Sequence, residues 1–370
     1  MNYAARRTRL LEGRHIDAFL VFDLDRTMPS QMDRPNMQYL SGYDGEGALL
    51  ITAEETVILT DSRYLEQAKQ QVPELPLIHA EGKYYDELAQ FIQDRGLKRI
   101  GYAAWRTTDY VLRRLSKVPG TEWIPFEDPV TDLRAVKDAD ELKALREAIR
   151  LAEEALAHLR NTVEVGTNEV DVAATLSSKL RELGSERVAF GPTVASGPNS
   201  ALPHYRPSLN PRPLEGGDFL LIDFGAVVDG YVSDITRTFA VGEATEKQRE
   251  IYAIVLESLR AGIDAVRAGV PGDVSHEAAK RVVLDSPYAE HVFLSPLGHG
   301  VGLEVHELPK MGLNKGEILE PGMVVTVEPG IYVSGYGGVR IEDTVLVTET
   351  GCELLTSFPK DTLIEVGGTG

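Results

Sequence analysis

The N-terminal third of the chain switches repeatedly between two hydrophobic periods. Short apolar, β-branched runs stand at AFLVF (18–22), ALLIT (48–52), TVILT (56–60) and RIGYA (99–103), each of strand length and composition. Between them, Ser62–Gln71 and Tyr84–Arg95 carry helical patterns, so the segment predicts a small α/β domain. Leu24–Gln38 is polar, contains Pro29 and Pro35 and has no period. It predicts a long loop of the kind that serves as a lid or binding element.

A boundary is expected near Pro125–Asp138, where two prolines break structure and Asp138 or Asp140 can cap a helix. In that helix Leu142, Leu145, Ile149, Ala152, Leu156 and Leu159 recur at alternating spacings of 3 and 4, which makes one buried stripe. The domains predicted are 1–132 and 133–370. The second repeats itself weakly. Val163–Gly166 separates one pair of helices, the second over Asn168–Leu183. Val266–Gly269 separates another pair, from about Glu246 and near Gly272–Leu284. Each pair leads to a strand–turn–strand unit with two acids, FLLIDFGAVVDGYVSDITRTFAV (219–241) and MVVTVEPGIYVSGYGGVRIEDTVLV (323–347). The pattern predicts two related halves facing one cleft.

Composition narrows the class. Thirty-eight Lys and Arg against 57 Asp and Glu give a net charge of −19, which repels phosphate backbones, so no nucleic-acid partner is expected. Cys352 is the one cysteine, which excludes an intramolecular disulfide. No apolar run approaches the roughly 18 residues of a membrane span, so no membrane partner is expected. The N-terminal segment has basic residues, but its apolar stretch is interrupted by His15 and Asp17, unlike a secretory signal. The location expected is therefore the cytoplasm.

The candidate chemistry lies in acids set within apolar strand sequence. Asp223 sits in LLIDFG, Asp234 in YVSDITRTF, Glu328 in MVVTVEPG and Glu342 in VRIEDTVLV. Buried unpaired carboxylates are costly, and four of them point to a shared partner. Two divalent cations would balance the charge. His299, among Gly298, Gly300 and Gly302 in SPLGHGVGLEVHELP, can complete an oxygen-rich site. That donor set favours a hard metal such as Mn²⁺, with Co²⁺ and Zn²⁺ as alternatives reached through the imidazole. Other chemistries lack their signatures: there is no HExxH, no GxSxG and no GxxxxGK[ST].

These stretches, LIDFGAVVDGYVSDITRTF, GHGVGLEVHELP, TVEPGIY and VRIEDTVLV, resemble the Xaa-Pro peptidases of the pita-bread metallopeptidase superfamily, aminopeptidase P and prolidase. SGPNSALPHYRP (196–207) is similar to the family segment that carries a proline-site histidine, and YLSGYDGEGALLIT and LTDSRYLEQA resemble its small N-terminal domain. The resemblance implies an α/β, creatinase-like N-terminal domain followed by an α+β pita-bread domain with pseudo-twofold halves. It implies that Asp223, Asp234, His299, Glu328 and Glu342 bind two metal ions and that the substrates are short proline-containing peptides. It also implies a homodimer, with Leu24–Gln38 as the candidate cover of a partner's cleft.

The resemblance further assigns Glu328 as general base, His306 as donor to the oxyanion of the tetrahedral intermediate, and His204 as the contact around the substrate proline. Arg340 would orient the Glu342 carboxylate or bind the substrate's carboxyl side, and Tyr231 would line the pocket. Small prolidases can carry Arg four residues after the histidine matching His306. Here that position is Lys310, a flexible point charge. The reading that follows is an Xaa-Pro aminopeptidase, with an Xaa-Pro dipeptidase as the alternative. A non-catalytic binding module on the same fold, or a metal-free creatinase-type hydrolase, would be expected to have lost ligands, and all five are present.

Overall fold

The computed structural model describes residues 1–23, 34–81, 83–293, 295–312 and 317–368. The chain divides into two compact units, Met1–Arg134 and Ala135–Gly370. No helix among the described residues is long and apolar enough to cross a membrane.

The first unit is built on a six-stranded mixed sheet. Its spatial order is Leu77–His79, Thr56–Thr60, Gly47–Thr52, Ala18–Asp23, Arg99–Ala103, Glu122–Phe126. The apolar runs read from the sequence form its centre: Leu20, Leu50 and Ile100 are buried in one core with Leu88 and Ile92 of the helix Tyr84–Asp94. The aperiodic reading of Leu24–Gln38 fails in part. Residues 24–33 lie outside the described ones, but Pro35–Ser41 is a helix. Pro35 opens it, where a missing N–H costs nothing, and Gly42 closes it at φ +83°. The helix expected from Ser62 begins only at Leu65, without a side-chain cap.

The second unit opens with the helix Ala139–Thr162. Asp138 caps it, accepting from the backbone N–H groups of Asp140 and Glu141, while Glu141 reaches back to the Asp138 N–H. The predicted stripe is buried from Leu145 through Leu159. That helix and Glu169–Glu182 share a core with a four-stranded sheet ordered Ile364–Val366, Ile235–Val241, Phe219–Phe224, Thr193–Ser196. A second core joins the helices Glu246–Asp264 and Gly272–Leu284 to a five-stranded sheet. Its order is Glu307–Met311, Gly298–Gly300, Val324–Val327, Asp343–Val347, Cys352–Leu354.

The halves follow one path: helix, helix, then an antiparallel strand pair. Phe219–Phe224 pairs with Ile235–Val241 in the first half, and Val324–Val327 with Asp343–Val347 in the second. The chain thus has an α/β N-terminal unit and an α+β pita-bread unit with two related halves.

Candidate metal centre

The two strand pairs bring their acids to equivalent places. Asp223 lies one residue before the end of its strand, and Asp234 immediately precedes the paired strand. Glu328 immediately follows Val324–Val327, and Glu342 immediately precedes Asp343–Val347. Three of the four acids therefore stand at strand ends, not within strands as the sequence pattern suggests. The ladders end beside Asp234, Glu328 and Glu342, while Asp223 stays paired with Thr193 and Thr236.

His299 comes from the neighbouring short strand Gly298–Gly300. The register with Glu307–Met311 shifts between His299 and Gly300. A Cβ on Gly300 would lie 2.1 Å from the Leu308 carbonyl oxygen, so only glycine lets these strands approach there. With a proton on Nδ1 donated to the Gly300 carbonyl at 3.1 Å, Nε2 faces the acids. It lies 3.3 Å from Glu328 Oε1 and 3.7 Å from Asp234 Oδ2.

Asp234, His299 and Glu342 each offer one ligand atom, and these atoms lie within 4.8 Å of one another. Asp223 and Glu328 adjoin this group but are turned to cations. Arg340 Nη2 donates to Asp223 Oδ2 at 2.6 Å, and its Nε lies 3.9 Å from Glu328 Oε2. The expectation that Arg340 orients Glu342 is corrected: Arg340 clamps Asp223, and Thr236 holds Glu342, its Oγ1 donating to Oε2 at 2.7 Å. Arg340 Nε in turn donates to Thr236 Oγ1 at 3.1 Å, and Nη1 to the Tyr332 hydroxyl at 3.0 Å.

Electrostatics mark the cluster as short of positive charge. Burial pushes the Glu342 carboxyl up to about 8, reinforced by Glu328 and Asp223. Burial and then Glu342 push Asp234 well above the usual carboxylate range. Burial also raises Asp223, against the pull of Arg340. Glu328 goes the other way. Burial acts to raise it, but His299, Arg340 and His306 together outweigh that and leave it below the usual value. Asp223 Oδ1 and Glu342 Oε1 are buried with no hydrogen-bond donor among the described residues. Lone pairs buried without donors, in a cluster of four acids and one imidazole, fit divalent cations held by Asp223, Asp234, His299, Glu328 and Glu342.

The remaining candidates lie around this centre. His306 is exposed, and its ring centroid is 4.2 Å from that of His299. Desolvation, then His299, hold its imidazole below the usual value, so it is a neutral donor at neutral pH. His204 is exposed, and the preceding carbonyl, of Pro203, accepts from Arg340 Nη1 at 3.2 Å. Lys310 is exposed, opposite His299 in the ladder. Tyr231 is buried, with its hydroxyl donating to Glu141 Oε1 at 3.0 Å. Thr236 and Tyr332 were missed by sequence reasoning. The signal was the two-residue period: Thr236 is two positions from Asp234, as Arg340 is from Glu342.

Acids gathered at the paired strand ends of the two halves, with one imidazole, make a candidate metal centre. Residues 143–349 match the model for Metallopeptidase family M24, and residues 5–136 that for the Creatinase/Prolidase N-terminal domain. The chain belongs to metallopeptidase family M24. It is 35% identical over 330 residues to an Xaa-Pro dipeptidase of Pyrococcus furiosus, covering 89% of this chain and 92% of the relative. The structure of an X-Pro aminopeptidase from Thermotoga maritima is similar, with TM-score 0.90 and 35% identity over 98% of this chain and 100% of that one. So is that of an Xaa-Pro dipeptidase from Bacillus anthracis, with TM-score 0.90 and 36% identity over 99% and 100%.

Proposed function

We propose that this protein is an Xaa-Pro exopeptidase with a two-ion centre, releasing an N-terminal residue from the proline that follows it. The observation that carries the reading is the meeting of Asp234, His299 and Glu342 within 4.8 Å, with Asp223 and Glu328 alongside. Two divalent ions, Mn²⁺ by the oxygen-rich donor set, would supply Lewis acidity and acidify water near neutral pH. Glu328 takes the proton of the attacking water at its carboxylate, which is ionised at neutral pH. His306 donates to the developing oxyanion. Arg340 keeps Asp223 fixed. His204 meets the substrate at the proline. The names of the relatives support the proline specificity. The lone Cys352 supports a cytoplasmic location, and the resemblance to the family a homodimer.

The relatives divide between dipeptidase and aminopeptidase. Lys310 favours the second. A strict dipeptidase has to neutralise a proline carboxylate at fixed distance, a task suited to a bidentate Arg more than to an exposed Lys. The test is kcat/KM of the Mn²⁺-loaded protein on matched Xaa-Pro and Xaa-Pro-Yaa peptides, with an N-acetylated control. The expected result is release of free Xaa from both, the tripeptide at least as fast, and none from the blocked peptide. A tenfold preference for the dipeptide, about 1.4 kcal/mol of transition-state binding, would make it a dipeptidase. No release from any Xaa-Pro peptide would overturn the proline reading itself.

A further inference from the structure

Glu169, the first residue of the helix Glu169–Glu182, is fully buried and far in sequence from every acid of the metal centre. A buried carboxylate needs donors, and residues 196–212 supply them. Oε1 accepts from the Ser196 N–H at 2.6 Å, the Ser196 hydroxyl at 2.9 Å and Asn199 Nδ2 at 3.1 Å. Oε2 accepts from Asn199 Nδ2 at 3.0 Å and the Arg212 N–H at 3.1 Å. The Tyr205 hydroxyl shares its proton between Oε2 at 2.9 Å and the Asn210 carbonyl at 2.6 Å. The backbone closes the ring, the Glu169 N–H donating to the Arg212 carbonyl at 3.1 Å.

One carboxylate thus gathers both ends and the middle of a segment that has little regular structure of its own. That segment carries His204. Along it the side chains alternate: His204 is exposed, Tyr205 buried, Arg206 exposed, Pro207 buried. Holding Tyr205 inward therefore sets His204 outward. The other side of the segment is tied to the metal centre, by Arg340 Nη1 on the Pro203 carbonyl and by the Gly338 N–H on Ser200 Oγ at 2.8 Å.

We propose that Glu169 is a positioning residue that, through Tyr205, places His204 against the substrate proline. The inference rests on the role given to His204 above. The test is a double-mutant cycle on the Mn²⁺-loaded protein with an Xaa-Pro-Yaa peptide, metal content measured for every variant. Glu169→Gln should lower kcat/KM at least tenfold in the native background and less than twofold in the His204→Ala background, with metal content unchanged. Tyr205→Phe, a milder change that decides the matter if Glu169→Gln does not fold, should show the same dependence on His204 with a loss of about threefold. Equal losses in the two backgrounds, or no loss in the native one, would overturn the positioning role while leaving His204 in place. Unchanged kcat/KM in His204→Ala alone would instead remove His204 from the substrate site, and the inference with it.

Discussion

The ammonium of Lys137 lies 2.7 Å from Oε1 of Glu307, and both side chains are shut off from solvent. Lys137 also donates to the Ala135 carbonyl at 3.2 Å. The Glu307 carboxylate fills the space beside Gly302, where a Cβ would lie 2.2 Å from Oε1. The pair joins the chain just before the long helix to the residue that follows His306. Removing one partner strands a buried charge, at a cost of about 3–5 kcal/mol, whereas replacing both is far milder. Lys137→Met should therefore lower the thermal midpoint sharply, and Lys137→Met with Glu307→Leu should recover most of it. A single variant as stable as the native protein would show that the pair bears no load.

Metal should stabilise the protein, and more so at higher pH. Burial raises the Glu342 carboxyl from the usual 4.5 to about 8 in the metal-free protein. A carboxyl whose folded pKa is raised favours the folded state below about 4.5. That advantage disappears as pH rises through 8, because the unfolded chain loses its proton first. Bound cations reverse the penalty and compete better as protons leave. The rise in thermal midpoint on adding Mn²⁺ to stripped protein should be larger at pH 8 than at pH 6. An equal or smaller rise at pH 8 would contradict the clustered-carboxylate account.

His306 packs on His299 yet has no place in the three-residue ligand group. His306→Ala should lower kcat by about 10²–10³-fold, the usual cost of one oxyanion donor, while metal content stays at the native level. Loss of metal in this variant would make His306 a ligand, and native turnover would remove it from the mechanism.

Much of this was legible in the sequence because the signals are local. The apolar runs at 18–22, 48–52, 56–60 and 99–103 became sheet strands, since β-branched runs bounded by polar residues have few alternatives. The helix expected near Gly272–Leu284 is there. The short strands Leu77–His79 and Glu122–Phe126 were not read, because each depends on a parallel neighbour distant in sequence. The helix Pro35–Ser41 was missed because its first residues were read as part of a polar, aperiodic loop, when Pro35 opens the helix. In the site, the acids and His299 stood out as charge in apolar surroundings. Arg340 was seen but given the wrong carboxylate, since the partner it takes, Asp223, comes from the other half of the fold. Lys137 and Glu307, 170 positions apart, leave no trace in local pattern.

The two-ion centre is tested most directly by titrating chelator-stripped protein with Mn²⁺ while following Xaa-Pro hydrolysis, with Asp234→Ala alongside. The account predicts no turnover without metal, activity that saturates at two ions per chain, and an Asp234→Ala protein that binds fewer ions and stays inactive. Full activity in stripped protein shown to contain no metal would contradict it.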